Sequence, residues 1–240
     1  MSKESKTGII IAVVCVAILL GFFMIKSFIG GGFTNNGKYD VNTIIGPNDD
    51  NGHIGDNVAG NADAPVKIFE YADYQCSGCA TAFPRMKKLV EEYDGKLALV
   101  YRNFLLSYHQ NGTAAASAAQ AAGLQGYWSE YATKLFANQS VWSSASGSER
   151  TDLFKEMFRA VSNGQGDEDK FVKDMSSANV KAKIKFDEGL SKDLDITGTP
   201  TFYLDGQKLD FDGAGARTEE DFLNFMRLHI DAKLESLGQK

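Results

Sequence analysis

The sequence predicts an α/β domain that carries a helical insertion. Two near-continuous apolar runs, Val66 to Tyr71 and Leu97 to Tyr101, flank a helical pattern that starts near Cys76 and ends near Tyr93. Such runs read as strands buried within a sheet, and strand, helix, strand at this spacing is a βαβ unit. From Asn111 to Asp195 apolar residues recur at helical period, and a short strand and hairpin then return the chain to the sheet.

Taken from the N-terminus, residues 1–29 read as a membrane anchor. Ile9 to Ile25 is a run of 17 residues without a charge, at the short end of the roughly 17–25 that a spanning helix needs. Lys3, Lys6 and the amino terminus precede the run and Lys26 follows it, which favours a cytoplasmic N-terminus and an extracytoplasmic remainder. Phe22, Phe23, Met24 and Phe28 crowd the exit and leave no small-residue cleavage site, so a single-pass cell-membrane anchor is favoured over a cleaved signal. Cys15 reads as a small packing or lipid-facing residue within the run. Residues 30–62 read as a flexible linker, rich in Gly, Asn and Asp and poor in residues that could form a core. Asn48-Asp49-Asp50-Asn51-Gly52 lacks the ligand spacing and closing Glu of a calcium loop and reads as a turn.

Residues 63–240 are the expected folded domain, with the insertion at about 105–195. A formal charge of -6 without a basic stripe argues against nucleic acid as a partner. The one dense basic stretch, Lys181, Lys183 and Lys185, reads as a solvated helix face. Of three cysteines, two form the single Cys76-Ser77-Gly78-Cys79 motif, so the domain has no third thiol for a separate disulfide. Two thiols three residues apart at the mouth of a helix can make and break a disulfide, because free N–H groups and the helix dipole favour a thiolate at the first. Cys76 is the expected exposed attacker and Cys79 the buried resolving thiol. Zinc would need two further ligands, and His53, His109 and His229 are scattered, so no metal is expected. A CxxC at the turn of a βαβ unit is the thioredoxin-like signal.

Within the insertion, the run Thr113 to Ala122 is nearly all Ala and Ser and suits close helix packing. Ser148 is a plausible cap for a helix whose face is Leu153, Met157, Phe158 and Val161. Trp128, Phe136 and Trp142 read as core. After it, Thr201 to Leu204 reads as a strand, Asp205-Gly206 as a two-residue hairpin turn, and Thr218-Glu219-Glu220-Asp221 as the capping box of a last helix. His109 reads as a loop hydrogen-bonder, His229 as a packing residue and Asp73 as a helix cap.

Together the motifs resemble the DsbA-like thiol–disulfide oxidoreductases, nearest to the membrane-anchored BdbD-type branch. The likeness begins at Gly60-Asn61-Ala62-Asp63-Ala64-Pro65 and Phe69-Glu70-Tyr71-Ala72-Asp73-Tyr74-Gln75-Cys76, and includes Pro84. It continues through Arg102-Asn103-Phe104-Leu105, His109 and Gln125-Gly126-Tyr127-Trp128 to Gly198-Thr199-Pro200-Thr201-Phe202. The resemblance implies a thioredoxin-like fold with an inserted helical domain, here preceded by an N-terminal transmembrane helix. It implies a cis peptide between Thr199 and Pro200 in a loop facing the cysteines, where the Thr199 backbone can pair with an extended substrate strand. It also implies a carboxylate at Glu70 as proton acceptor for the buried thiol. No external cofactor is expected, only the redox-active Cys76–Cys79 disulfide. The implied partners are exported proteins with reduced cysteines and a membrane redox protein that reoxidises the chain. Ser77-Gly78 departs from the usual Pro-His dipeptide, whose histidine favours the thiolate. A reductase or isomerase, or a non-catalytic binding or metal-delivery protein of the same fold, therefore stays open beside a thiol oxidase.

Overall fold

The structure is a computed structural model that describes residues 35–239. The expected anchor, with Cys15, lies outside the described residues. Among the described residues no helix is long and apolar enough to cross a membrane.

Five strands form one sheet in the order β1-β3-β2-β4-β5: β1 (Asn57–Gly60), β2 (Val66–Ala72), β3 (Leu97–Asn103), β4 (Thr201–Leu204) and β5 (Gln207–Leu209). Strands β2 and β3 are parallel, with Val66 opposite Leu97 and Ala72 opposite Asn103, and helix α1 (Ser77–Glu92) makes the crossover. The other pairings are antiparallel. All of β3 is buried, as is β2 apart from Lys67, which is why both strands read as continuous rather than alternating apolar runs.

The insertion supplies α2 (Gly112–Gly123), α3 (Trp128–Ala137), α4 (Gln139–Trp142), α5 (Gly147–Val161), α6 (Glu168–Met175) and α7 (Ala178–Lys192). The chain then returns to β4 and β5 and closes with α8 (Glu219–Ser236), whose N-terminus carries the expected Thr218–Asp221 capping box. Helix α5 starts earlier than its sequence suggested: Ser146, not Ser148, is the cap, and its N–H donates to Glu149 at 3.3 Å. Trp128, Phe136 and Trp142 are core residues. An aromatic seam joins insertion to sheet, with Tyr101 of β3 against Trp128 at 5.7 Å and Tyr74, just after β2, against Phe136 at 5.1 Å.

Residues 35–62 differ from the expected flexible linker. They end in β1, which pairs with β3 through Asn57 opposite Tyr101, and Ile45, Asn51 and Ile54 are buried. What holds them is polar. The Arg102 guanidinium donates to the carbonyls of Val41 and Thr43 at 2.6 and 2.7 Å and to Asp56 at 2.7 Å. Asn51 and Asn48 close their turn through side chain-to-backbone bonds, so the stretch needs few apolar residues to stay folded.

Lys183 also departs from the expected solvated helix face. Its neighbours Lys181 and Lys185 are exposed, but Lys183 is fully buried between Asp56 at 2.9 Å and Asp187 at 2.7 Å. Two carboxylates offset the cost of taking the ammonium out of water. Burial alone would raise Asp56, yet Lys183 and Arg102 hold it down at about 2.

Candidate active site

Cys76 stands at the start of α1 as its N-cap, and among the described residues no side chain caps that end. The sulfur therefore faces free N–H groups and the positive end of the helix dipole. Helix geometry then sets Cys79 one turn on, on the face packed against the sheet. Their exposures decide the roles: Cys76 keeps 9% and Cys79 none. The two thiols are unbridged in this structure.

The loop before β4 brings the third element. Thr199–Pro200 is cis, as the resemblance implied, and the Cys76 Sγ lies 3.4 Å from the Thr199 carbonyl oxygen, a contact in which the thiol donates. The Thr199 hydroxyl is buried with no other partner among the described residues and can serve the thiolate. Hydrogen bonding from Cys79 is the main effect lowering Cys76; burial opposes it, and the Thr199 hydroxyl and the Cys79 and Gly78 N–H groups assist, giving about 5. Cys79 is driven the other way, well above an ordinary thiol, by burial first and then by its bond to Cys76 and the nearby Glu70.

Glu70 lies in β2, the central strand, opposite Tyr101 on one side and Phe202 on the other. It is fully buried, and among the described residues neither carboxylate oxygen has a hydrogen-bond partner. Burial, followed by the charge of Cys76, raises it to about 8. A carboxyl so placed is neutral near pH 7 and can exchange a proton with a neighbouring group. The five sequence-predicted residues, Glu70, Cys76, Cys79, Thr199 and Pro200, thus converge on one region.

Asp73 is not the helix cap it was expected to be. Its buried carboxylate accepts the N–H groups of Gln75 and Leu106 at 2.8 and 2.9 Å and meets His109 Nδ1 at 2.8 Å, while its carbonyl accepts the Cys76 N–H at 3.0 Å. It locks the cysteine loop to the segment after β3, and His109 is the loop hydrogen-bonder its sequence suggested. Sequence reasoning did not find Gln139. Its side-chain amide donates to the carbonyls of Tyr74 at 2.8 Å and Cys76 at 3.0 Å from a helix 63 residues downstream, and nothing local to residue 139 marks it. Among the described residues no cluster of side chains is arranged to hold a metal ion. A cavity of about 570 Å³ lined by Asn42, Pro65, Lys67, Phe69, Asp205 and Lys233 includes none of the site residues.

Comparison with known proteins agrees with this geometry. The thioredoxin family model matches residues 53–226. The probable disulfide bond formation protein D of Bacillus cereus is 30% identical over 165 residues, covering 64% of this chain and 72% of that protein. The Na(+)/H(+) antiporter NhaA 1 of Mycobacterium sp. (strain KMS) is 30% identical over 158 residues, 64% of this chain, but the chain spans only 24% of the antiporter's length. Among solved structures, oxidised BdbD of Bacillus subtilis superposes with a TM-score of 0.60 at 19% identity, over 81% of this chain and 100% of that one, a likeness of fold. A family match that contains both cysteines and the Thr199–Pro200 loop, beside a relative matched over most of its length, shows that this chain belongs to the DsbA-like branch of the thioredoxin family.

Proposed function

We propose that the protein is an extracytoplasmic thiol oxidase that introduces or exchanges disulfides in exported proteins. In the oxidised protein a substrate thiolate attacks Cys76 Sγ, and the Cys76–Cys79 bond breaks with its electron pair going to Cys79. Cys79 takes a proton from Glu70, and the substrate is held as a mixed disulfide on Cys76. A second substrate thiolate then attacks the substrate sulfur of that bond and Cys76 leaves as a thiolate. The substrate loses two electrons and the protein gains them. The Thr199 backbone, beside a proline that offers no N–H, pairs with the extended substrate segment. A membrane redox protein removes the two electrons, Cys79 returning its proton to Glu70 as it closes the disulfide. The uncharged run Ile9 to Ile25, flanked by lysines, supports a single-pass anchor in the cell membrane with this domain outside.

The observation that carries the oxidase reading over a reductase is the opposed tuning of the two sulfurs, Cys76 down to about 5 and Cys79 well up. A stable Cys76 thiolate stabilises the dithiol form and makes the disulfide an oxidant. It arises here without a histidine in the dipeptide. The test is equilibration of the purified protein with glutathione, together with oxidation of a reduced, unfolded substrate. A potential more oxidising than the glutathione pool is expected, with Cys76→Ser and Cys79→Ser both unable to oxidise the substrate, and only Cys79→Ser, which keeps the attacking sulfur, held as a mixed disulfide by oxidised glutathione. A strongly reducing potential, or full activity in both variants, would overturn the reading.

A further inference from the structure

The Tyr74-Gln75-Cys76 loop is clasped from outside the sheet. Gln75 donates to the Ser143 carbonyl at 3.1 Å and accepts the Asn111 N–H at 2.7 Å. Asn111 in turn donates to the carbonyls of Trp142, Ser143 and Ala145, which tie it to the chain just after α4. One member of the clasp reaches the reactive residue itself. Gln139 Nε2 meets two carbonyl oxygens, Tyr74 at 2.8 Å and Cys76 at 3.0 Å. Two acceptors can be satisfied only by the amide nitrogen, so the orientation of that side chain is fixed by its surroundings. The Cys76 carbonyl also accepts the Ala80 N–H at 3.0 Å, the first bond of the helix, and so has a donor from each domain element.

We propose that Gln139 is a positioning residue for the thiol–disulfide reaction, through which the helical insertion fixes the backbone of Cys76 and hence the surroundings of its sulfur. Two effects have the same sign. Without the amide, the Cys76 carbonyl keeps more of its negative end exposed beside the sulfur. The peptide is also freer to rotate, which loosens the alignment of the sulfur with the Gly78 and Cys79 N–H groups and with Thr199. Either change disfavours the thiolate. The groups that face Cys76 are Cys79 on α1, Glu70 on β2 and the Thr199 hydroxyl and carbonyl from the loop before β4. Asp73 and His109 lie behind the loop, and α4 contributes the neutral Gln139 amide. The insertion thus acts on the sulfur through a dipole rather than a charge.

This rests on Cys76 as the attacking thiol, and the experiment separates the two. The rate of iodoacetamide alkylation of Cys76 is followed against pH in the reduced protein, with folding checked by near-ultraviolet circular dichroism. In Gln139→Met, similar in length but without a donor, the midpoint is expected to rise. The rate one pH unit below the wild-type midpoint should fall about three- to tenfold, the size of one lost hydrogen bond to a charged or polar group. Gln139→Glu keeps the shape and, once ionised, turns a negative group on the same carbonyls, so its midpoint should rise at least as far. Gln75→Met, which breaks the clasp without touching the Cys76 carbonyl, should leave the midpoint near that of the wild type. An unshifted midpoint in folded Gln139→Met and Gln139→Glu would overturn the proposal, and so would an equal shift in Gln75→Met, which would mean general loosening. A wild-type midpoint at the ordinary thiol value would instead remove the reading of Cys76 and this inference with it.

Discussion

Gly78 is where the chain departs from the Pro-His dipeptide of the DsbA-like pattern it resembles, and its surroundings give the departure a physical reason. A Cβ at this position would stand 3.1 Å from Pro200 Cδ and 3.6 Å from Cys76 Sγ, so the absence of a side chain lets the cis-proline loop close on the sulfur. Gly78→Ala is expected to push that loop outward by a few tenths of an ångström, at a cost of roughly 1–3 kcal/mol for overpacking. Moving Thr199 away also removes stabilisation of the thiolate, so the alkylation midpoint of Cys76 should rise and the glutathione equilibrium shift toward the disulfide. Glu70 ties the site to the stability of the fold. Its carboxyl is raised from 4.5 to about 8, so between those values the folded protein holds a proton that the unfolded chain has released. Stability from this group therefore falls as pH rises through that window. Glu70→Gln should flatten that part of the stability–pH curve in chemical denaturation, and should slow the step in which Cys79 gains or loses its proton by about 10²-fold or more in single-turnover kinetics. An unchanged slope would show that Glu70 is not the group that titrates.

Between elements, the buried polar network from the start of β1 to the end of β3 and the middle of α7 does what apolar packing does elsewhere. Arg102 spends its donors on Asp56, Tyr71 and two backbone carbonyls, and Lys183 bridges Asp56 to Asp187, which also accepts from the Asn103 N–H at 3.1 Å. Removing one partner of such a set leaves the others buried without a counter-charge. Asp56→Asn is accordingly expected to lose about 3–5 kcal/mol in urea unfolding at neutral pH. Because Asp56 is depressed to about 2, its contribution is fully present above the ordinary carboxylate value of 3.8 and is lost as pH falls toward 2. The variant should lack that acid limb. The same network explains what was legible in the sequence. Strands β2 and β3, helix α1 and the Thr218 cap were readable because burial on two faces, CxxC at a helix mouth and a capping box leave local marks. Strand β1 and the residues before it were not, since arginine-to-carbonyl bonds and Asn turns hold them, and a Gly- and Asn-rich stretch looks the same folded or loose. Lys183 alternates with apolar residues as its exposed neighbours do, and its one local mark is the acid four residues on, Asp187; its burial also needs Asp56, 127 residues away. The site followed the same division: its motif residues were visible, whereas Gln139 and the true role of Asp73 depend on how the insertion and the loop after β3 fold back.

At the scale of the whole molecule, the tuning of one sulfur becomes a difference in stability between two redox states. In the dithiol form Cys76 is depressed from 9.0 to about 5, so over that interval the unfolded chain binds a proton that the folded one does not, and stability rises with pH. The disulfide form has no such group. Glu70 is buried in β2 whichever form Cys76 and Cys79 take, so the part of its opposing slope that burial causes cancels when the two forms are compared, while the smaller part due to the Cys76 charge belongs to the dithiol form and subtracts from its gain. Cys79 titrates only above its ordinary value and contributes nothing below pH 8. The disulfide's own effect on the unfolded chain does not depend on pH, and is small for so short a loop. Thermal unfolding of the reduced and oxidised proteins, measured side by side from pH 4 to 8, should therefore show the reduced form gaining steadily on the oxidised one above pH 5. Near pH 7 the reduced form should be the more stable, which is the same statement as an oxidising disulfide, reached by a measurement that needs no redox partner. A gap that stays constant with pH would mean that the Cys76 thiolate is not stabilised by the fold, and the proposed oxidase reading would fall with it.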